Sequence, residues 1–254
     1  MQLNGTAAIV TGGASGLGAA TAELFAAGGA KVAIFDLNED KGEAHAAKIG
    51  ARFLRVDTTS EADVIAGLDE AEKANGLARI LVACAGGGVG GGRTAHKGKA
   101  YAMEGFRKTL EMNVIGTFNT LSKFAARLTD APLVNGEERG VIVCTASIAA
   151  YDGQIGQVAY ATAKAGIVGM TLVVARDLGD AGIRCNTIAP GPFGTPPMLG
   201  VRPEMLQSLL AQQPFPKRLG QPSEFALLAK SIVENPMLNG TVIRIDGATR
   251  FGPK

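Results

Sequence analysis

The amino-acid sequence predicts a doubly wound α/β fold, in which helices cover both faces of a parallel sheet. Short apolar runs rich in Val, Ile and Ala recur between longer helix-like segments. The runs do not alternate with polar residues, as expected for strands that are buried on both faces. The segments between them are long enough for right-handed crossovers between parallel strands. We therefore predict seven strands, at residues 6–11, 31–35, 52–56, 79–84, 140–146, 183–189 and 241–245.

One domain accounts for the chain, residues 1–254. No linker rich in Pro, Ser or charge divides the pattern, and no long internal repeat is visible. Two stretches look irregular, "GGGVGGG" at residues 86–92 and "PGPFGTPPMLGVRP" at residues 190–203. Because ligands bind at the carboxyl ends of the strands in such sheets, we expect ligand loops at about residues 86–102 and 190–216.

The composition argues against several classes of protein. With 25 basic and 23 acidic residues, the formal net charge is +2, and no run of like charges suits nucleic acid or an anionic bilayer. Cys84, Cys144 and Cys185 are far apart and set in apolar runs, which indicates buried free thiols in a reducing compartment and no CxxC metal site. Without a membrane-length apolar stretch or a signal-peptide pattern, we expect a cytoplasmic protein, or a mitochondrial matrix protein in a eukaryote.

The turn after the first strand carries the glycine pattern "TGGASGLG", with Gly12, Gly16 and Gly18. Backbone without side chains can approach a pyrophosphate there, and the amino terminus of the following helix offers unpaired N–H groups. A plain glycine-rich turn is the alternative. Because the pattern lies between a strand and a helix and is followed by Asp36 at the end of strand two, it predicts a dinucleotide-binding Rossmann domain.

Acidic residues end the next two strands. Asp36 lies where an adenosine ribose is expected, so its carboxylate can accept from both hydroxyls and repel a 2′-phosphate. The following "LNED" adds no arginine, and NAD is therefore favoured over NADP. The alternative is an acid at the amino terminus of a helix. Asp57 in "VDTTS" either holds the adenine amino group or caps the following helix.

Three polar residues later in the chain suggest proton-transfer chemistry. Tyr160 and Lys164 are four residues apart, so on a helix they share a face, although a chance surface pair has the same spacing. A tyrosine ionises near pH 10, and a base near neutrality needs its phenolate stabilised by ~3 to 4 kcal/mol, which a neighbouring ammonium can supply. Ser147 ends the fifth strand, where its hydroxyl can bind a substrate oxygen or cap a helix.

Several motifs occur together in one order. With "TGGASGLG", "CAG" at residues 84–86, Ser147, "YATAK" and "APG" at residues 189–191, the whole chain resembles the short-chain dehydrogenase/reductase family. The stretches "MNVIGTFN", "IAPGPFGTP", "PFPKRLG" and "VIRIDGA" are similar to the 3-hydroxyacyl-CoA dehydrogenase type 2 group of this family, also called 17β-hydroxysteroid dehydrogenase type 10. Ala83 departs from the pattern, because most of the family has an asparagine there that stabilises the sheet. We expect a structural compensation at Ala83.

The resemblance implies a role for each matching residue. Tyr160 is the acid/base that exchanges a proton with a secondary alcohol or a ketone, and Lys164 tunes it and binds the nicotinamide ribose. Ser147 binds the substrate oxygen, and Asn113 belongs to a proton relay behind the lysine. Gln154 either lies near the substrate or faces solvent.

The same resemblance implies that NAD is held by a set of residues from the strand ends and the loops that follow them. For Phe193, an ordinary core position is the alternative. The set is Gly12, Ser15, Gly16, Leu17, Gly18, Asp36, Asp57, Thr58, Cys84, Ala85, Gly86, Tyr160, Lys164, Pro190, Phe193 and Thr195.

The activity implied is the NAD-dependent interconversion of 3-hydroxyacyl-CoA and 3-oxoacyl-CoA in fatty acid metabolism. The alternatives are a 17β-hydroxysteroid or other short-chain alcohol dehydrogenase, a 3-oxoacyl-carrier-protein reductase, and a non-catalytic nucleotide-binding scaffold. The helices at residues 103–128 and 157–178 have apolar faces on both sides, and the family implies a homotetramer built on them.

The basic segment "RTAHKGKAYAMEG" suggests how a coenzyme A thioester is bound. Its cations would meet the phosphates while the acyl chain enters an apolar loop, and a solvated basic loop is the alternative. The cations are Arg93, His96, Lys97 and Lys99, and the apolar residues are Phe193, Met198 and Leu199.

Overall fold

The structure, a computed structural model, describes residues 1–88 and 90–253. The elements follow in chain order as β1 (Ala7–Thr11), α1 (Gly16–Ala27), β2 (Lys31–Asp36), α2 (Glu39–Ile49), β3 (Arg52–Arg55), α3 (Glu61–Asn75), β4 (Ile80–Ala83), β5 (Ala95–His96), β6 (Lys99–Ala100), α4 (Met103–Leu110), a π-helix (Glu111–Ile115), α5 (Gly116–Ala126), β7 (Gly140–Thr145), a 3₁₀ turn (Ile148–Ala150), α6 (Val158–Asp177), β8 (Ile183–Pro190), α7 (Pro196–Leu199), α8 (Pro203–Ala211), α9 (Pro222–Glu234) and β9 (Val242–Ile245).

Seven strands form one parallel sheet in the order β3-β2-β1-β4-β7-β8-β9. They are the seven predicted strands, and each observed boundary lies within one residue of the predicted one. The strand order reverses between β1 and β4, which opens the ligand crevice at the carboxyl ends of these two strands. The predicted single doubly wound Rossmann domain is therefore confirmed.

Helices cover both faces of the sheet, as the apolar strands require. On one face α3, α5 and α6 pack against the sheet through side chains such as Leu68 and Phe124, which belong to the first hydrophobic core. On the other face α1, α2 and α9 pack against the sheet through Phe25 and Phe225, which belong to the second hydrophobic core. Successive strand residues alternate between the two cores, since Ile9 belongs to the first and Val10 to the second.

The two stretches expected to be irregular are only partly so. In the first, residues 86–88 and 90–92 lie outside helices and strands, and Val89 lies outside the described residues. Beyond them β5 and β6 form a hairpin, which we did not predict. Its turn residues Lys97 and Gly98 have φ values of 49° and 72°, the conformation that favours a tight two-residue hairpin.

The second stretch contains helices, so the expectation of an irregular segment at residues 190–203 is wrong. Pro196 begins α7 and Pro203 begins α8. Proline suits the first helical position, because its fixed φ fits the helix and its missing N–H would have no helical partner there. The short α7 lies entirely within the stretch expected to be irregular.

Among the described residues, α6 is the one helix whose length and composition would allow it to cross a membrane. It buries Ala163, Ile167 and Val174, two of which belong to the first core. We therefore interpret α6 as a core helix. All three cysteines are free, as predicted, with Cys144 and Cys185 buried in the sheet and Cys84 half-buried.

Candidate active site

The glycine-rich turn joins β1 to α1 by close backbone packing. Gly12 has a φ of 66°, and a Cβ there would lie 2.8 Å from the backbone nitrogen of Ala85 after β4. A Cβ on Gly18 would overlap the carbonyl oxygen of Gly12. The amide of Gly12 also donates to the Phe35 carbonyl oxygen at 2.8 Å, which ties the turn to β2. These glycines therefore hold the amino terminus of α1 at the carboxyl edge of the sheet.

The amino terminus of α1 fits a pyrophosphate. Ser15 occupies the N-cap position without a side-chain hydrogen bond, and the first turn has no acidic residue. The orphan N–H groups of the first turn are therefore open to an anion. Thr195, which precedes α7, faces this turn, because a Cβ on Gly16 would lie 3.3 Å from its methyl group. Leu17 is half-buried against the second core and anchors the helix.

Asp36 is fixed beside the glycine-rich turn. Its Oδ2 accepts from the Ala14 amide at 3.0 Å and its Oδ1 from the Asn38 amide at 3.0 Å. The N-cap of α2 is Asn38, whose Oδ1 accepts from the Lys41 amide at 3.0 Å. Helix capping therefore does not explain Asp36, and its negative charge lies next to the place where a dinucleotide would pass.

Asp57 and Thr58 stabilise the loop after β3. Asp57 Oδ1 accepts from the amide and the hydroxyl of Thr59, at 2.9 and 2.8 Å. The N-cap of α3 is Ser60, so the capping alternative for Asp57 is wrong. The Thr58 carbonyl oxygen accepts from Asn119 Nδ2 at 2.8 Å, which ties this loop to α5.

Tyr160 and Lys164 share a face of α6, as predicted. The Lys164 Nζ lies 5.7 Å from the centroid of the Tyr160 ring. Burial raises the pKa of the Tyr160 phenol, and a hydrogen bond with Ser147 acts in the opposite direction to lower that pKa. The net effect raises the pKa of Tyr160, which is opposite to the shift that a base near neutrality needs.

Lys164 is a buried cation, with only 5% of its surface exposed. Its Nζ donates to the Thr145 carbonyl oxygen at the end of β7, at 3.0 Å. Burial lowers its pKa from 10.5 to about 8. An ammonium has three N–H donors. The bond to Thr145 is the one it forms within the part of the chain that the structure describes, so two donors remain for a ligand.

Asn113 lies in the π-helix between α4 and α5 and is fully buried. Its Nδ2 donates to the carbonyl oxygens of Gly87 at 2.7 Å and Thr109 at 2.8 Å, and its Oδ1 accepts from the Gly87 amide at 3.2 Å. A Cβ on Gly86 would lie 2.5 Å from this Oδ1 and 3.5 Å from Lys164 Nζ. Asn113 and Lys164 therefore flank the backbone at Gly86. Such π-turns frequently mark functional sites.

Ser147 is nearly buried, and it fulfils the capping role that its position allowed. Its Oγ accepts from the Ala149 amide at 3.1 Å and caps the 3₁₀ turn. The same side chain lies close enough to Tyr160 to lower the pKa of its phenol. The structure thus brings Ser147, Tyr160, Lys164 and Asn113 together around residues 86–88, and a Cβ on Gly88 would lie 3.8 Å from the Tyr160 ring.

The sheet continues without interruption through Ala83. Ala83 pairs with Thr11 of β1 and Cys144 of β7. Beyond it, the Cys84 amide donates to the Thr11 carbonyl oxygen at 3.2 Å and the Ala85 amide donates to the Thr11 hydroxyl at 3.0 Å. Cys84 also accepts from the Thr145 hydroxyl at 3.3 Å, and burial raises its pKa to about 11.

The loop after β8 buries Phe193. Pro190 ends β8, and the amide of Gly191 donates to the Ile245 carbonyl oxygen at 2.9 Å. The Phe193 side chain packs on Gly220 in the second core, so it is an ordinary core residue. Of the two expectations for Phe193, the structure supports the ordinary core position, because the ring is buried. Any contact of Phe193 with a cofactor must come from its backbone.

The other substrate-side residues lie at the surface of the crevice. Gln154 is half-buried and accepts at 3.4 Å from the side chain of Gln157. Met198 is half-buried and Leu199 is exposed on α7. The predicted cations all have exposed side chains, and a cavity of about 490 Å³ lies among Arg93, His96, Lys99 and Tyr101.

Some contributors were missed because they act through the backbone or through packing. Thr145 holds Lys164 with its carbonyl oxygen, and Gly87 satisfies Asn113 with its own amide and carbonyl. Thr145 directly precedes "AS" in the motif that ends in Ser147, and Gly87 lies in the glycine-rich stretch. These positions were therefore visible in the sequence, although their roles were not.

This chain resembles a known family over most of its length. The family profile described as short chain dehydrogenase matches residues 6–205. The 3-hydroxyacyl-CoA dehydrogenase type-2 of Homo sapiens is 46% identical, with 99% of this chain and 98% of that protein covered. The protein of the same name from Drosophila melanogaster is 49% identical, with 99% of this chain and 100% of that protein covered.

Two solved structures are also similar to this chain in sequence and fold. The crystal structure of 3-hydroxyacyl-CoA dehydrogenase type-2 from Mycobacterium avium is 46% identical and has a TM-score of 0.93, with 98% of each chain covered. A 7α-hydroxysteroid dehydrogenase in complex with NADH and 7-oxoglycochenodeoxycholic acid is 32% identical, with a TM-score of 0.89 over 100% of this chain and 97% of that one.

Proposed function

Because this chain belongs to the short-chain dehydrogenase family and is an oxidoreductase of secondary alcohols and ketones that uses a nicotinamide dinucleotide, we propose that it interconverts 3-hydroxyacyl-CoA and 3-oxoacyl-CoA with NAD. The observation that carries the catalytic part is a buried cation, Lys164, one helical turn from Tyr160, whose phenol lies close enough to Ser147 for that side chain to lower its pKa. A nucleotide-binding scaffold has no physical need for this arrangement.

Each residue of the site has one role in the proposed reaction. Tyr160 takes the proton of the substrate hydroxyl during oxidation and returns it to the ketone during reduction. Ser147 donates to the substrate oxygen as charge develops on it. Lys164 opposes the effect of burial on the Tyr160 phenol, and its two remaining N–H donors hold the nicotinamide ribose. Asn113 orders the backbone at Gly87 through its side chain, and the family resemblance assigns it to a proton relay behind Lys164. The bound nicotinamide supplies hydride transfer.

The decisive experiment replaces Tyr160 by phenylalanine. Proton transfer by a positioned side chain contributes about 10²–10⁴-fold, so we expect Tyr160→Phe to lower kcat by at least about 100-fold. The affinity for NADH, measured by fluorescence titration, should stay within about twofold, because the glycine-rich turn is untouched. Substrates for the wild-type assay are acetoacetyl-CoA, a branched 3-oxoacyl-CoA, a 17-ketosteroid and a sugar ketone. Retained turnover in Tyr160→Phe contradicts the assignment.

The choice of NAD over NADP rests on the charge of Asp36 beside the glycine-rich turn. Asp36→Asn keeps an acceptor oxygen for the Ala14 amide and removes the negative charge. A hydrogen bond to a charged group contributes about 1.5–3 kcal/mol, so the NAD/NADP ratio of kcat/KM should fall by at least about tenfold. Asp40→Asn, on an exposed residue in the first turn of α2, is the control. An unchanged ratio in Asp36→Asn would refute the assignment of NAD specificity to this carboxylate.

The choice of a coenzyme A thioester rests on the cations around the hairpin cavity. We expect Lys97→Glu/Lys99→Glu to raise KM for acetoacetyl-CoA by about tenfold or more, because phosphate contacts are charge-assisted hydrogen bonds. The KM for a ketone without coenzyme A should stay unchanged. Lys31→Glu/Lys73→Glu is the control, since it makes the same change of charge on exposed residues away from the hairpin. If both substrates respond alike, the hairpin does not bind the coenzyme.

A homotetramer and a reducing compartment complete the proposal. Ile115 at the end of the π-helix and Phe118 on α5 expose apolar surface, as do Leu172 and Val173 on α6, and these helices offer a face to a second copy. Light scattering after gel filtration should give the mass of four chains, and Phe118→Glu should lower it. The three free cysteines favour the cytoplasm or the mitochondrial matrix.

A further inference from the structure

Arg244 on β9, within the motif "VIRIDGA", has no role in the reaction described so far. Its Nε donates to Asp246 Oδ2 at 2.7 Å, and its Nη2 donates to Asp152 Oδ2 at 2.6 Å and to the Thr249 carbonyl oxygen at 3.0 Å. The guanidinium also lies 5.2 Å from the centroid of the Tyr151 ring. Arg244 therefore connects the edge strand of the sheet to the segment that begins at Tyr151.

The segment at residues 151–157, "YDGQIGQ", forms one side of the catalytic site. It contains Gln154 and leads directly into α6, which carries Tyr160. It also contacts the glycine-rich loop, because the Gly92 amide donates to the Gly156 carbonyl oxygen at 2.8 Å. The Ile155 amide donates to the Pro253 carbonyl oxygen at 2.9 Å. Two ties therefore join this segment to the residues from β9 onward.

The other end of the Arg244 cluster lies against the loop after β8. Arg244 pairs with Ala189 in the sheet register. A Cβ on Gly191 would lie 2.8 Å from the Cβ of Asp246, so the loop that follows Pro190 packs directly on the partner of Arg244. One side chain thus links residues 151–157, on the substrate side, to residues 189–191, on the cofactor side.

We propose that Arg244 is a positioning residue that holds the segment at residues 151–157 at a fixed distance from the loop after β8. It thereby sets how a ketone is presented to Tyr160 and Ser147, an inference that rests on the proposed function. The planar guanidinium can bind two carboxylates at once from a fixed geometry. By binding Asp152 and Asp246 at once, Arg244 can fix the position of residues 151–157 relative to the loop after β8, in addition to stabilising the fold.

The test compares Arg244→Gln with Arg127→Gln. Arg127 is a matched control, because it also binds two carboxylates, Asp69 at 2.5 Å and Glu72 at 3.0 Å, and is 25% exposed against 23% for Arg244. It joins α5 to α3, away from the catalytic residues. Both variants should lower the melting temperature. Arg244→Gln alone should accelerate amide hydrogen exchange in residues 151–157, measured by mass spectrometry.

Kinetics provide the second readout. We expect Arg244→Gln to lower kcat/KM for the ketone by about tenfold or more, mainly through KM, since small misplacements of a substrate are costly. The Kd of NADH should change less than about twofold. Asp152→Asn should reproduce the effect, and the double variant should be no worse than the more damaging single variant, because the two residues form one contact.

The inference is overturned if Arg244→Gln matches Arg127→Gln in either exchange at residues 151–157 or kcat/KM. Hydrogen exchange does not require turnover, so it tests the positioning contact even without a substrate. A wild-type protein that turns over no ketone would contradict the proposed function, whereas unchanged exchange at residues 151–157 would contradict the inference about Arg244.

Discussion

Replacing Lys164 by methionine should stabilise the fold while it destroys activity. Lys164 is buried, and burial lowers its pKa from 10.5 to about 8. At neutral pH the folded chain therefore keeps a charged amine in a place that favours the neutral form. Methionine has a similar length and no charge, so Lys164→Met removes the unfavourable contribution of the buried charge to the free energy of unfolding. It also removes the hydrogen bond to the Thr145 carbonyl oxygen.

The magnitude follows from the change in pKa. A fall from 10.5 to about 8 corresponds to about 3 kcal/mol in favour of the neutral amine. The lost hydrogen bond costs about 1 kcal/mol. We therefore expect Lys164→Met to increase the free energy of unfolding by about 2 kcal/mol at pH 7. Between pH 8 and 10.5 the unfolded wild-type chain retains a proton that the folded chain has lost, so wild-type stability rises with pH. The advantage of the variant should disappear over this range.

Urea denaturation of both proteins at pH 7, 8, 9 and 10 measures this difference. Lys73→Met, on an exposed side chain of α3, provides the control for the loss of a lysine. The reasoning is refuted if Lys164→Met is less stable than wild type at pH 7, or if the difference between them does not change from pH 8 to pH 10. Activity should fall by at least about 100-fold at every pH, because the ammonium that stabilises the Tyr160 phenolate is lost.

Further predictions concern the supporting residues. Gly18→Ala should lower the melting temperature and weaken NADH binding measured by fluorescence, because its Cβ would overlap the carbonyl oxygen of Gly12 and displace α1. Asn113→Leu should cost about 1–3 kcal/mol per unpaired group in urea denaturation, since the amide and carbonyl of Gly87 lose their partner; stability equal to wild type would contradict this. Cys84, whose thiol pKa burial raises to about 11, should resist iodoacetamide at pH 7, because only about one thiol in ten thousand is ionised. Rapid labelling of Cys84 in the native protein would show that burial does not control its reactivity.

The strands and the glycine-rich turn could be predicted because their causes are local. Runs such as "AAIV" in β1 and "ILVA" in β4 are apolar at every position, and a short run of this kind is typical of a strand covered on both faces. The spacing of Tyr160 and Lys164 likewise fixes their common face once a helix is assumed. These features depend on residue type and separation along the chain, which the sequence states directly.

The remaining features depend on the environment in three dimensions. The hairpin of β5 and β6 needs a positive φ at Lys97, a conformation that residue type alone does not indicate. The direction of the Tyr160 pKa depends on burial, and the partner of Lys164 is a carbonyl oxygen that every residue possesses. Two environments stayed open for Phe193 for the same reason, since the sequence does not show that Gly220 leaves room for its ring.

The π-helix at Glu111–Ile115 admits one extra residue into the continuous helical run from α4 to α5. A π-turn bonds residue i to residue i+5 and so holds one residue more than an α-turn, while the α-helices on either side keep their rotational phase. Phe118 therefore stays exposed and Phe124 stays in the core. Deleting one residue from the π-helix should close it to an α-turn and move Asn113, while α4 and α5 keep their packing.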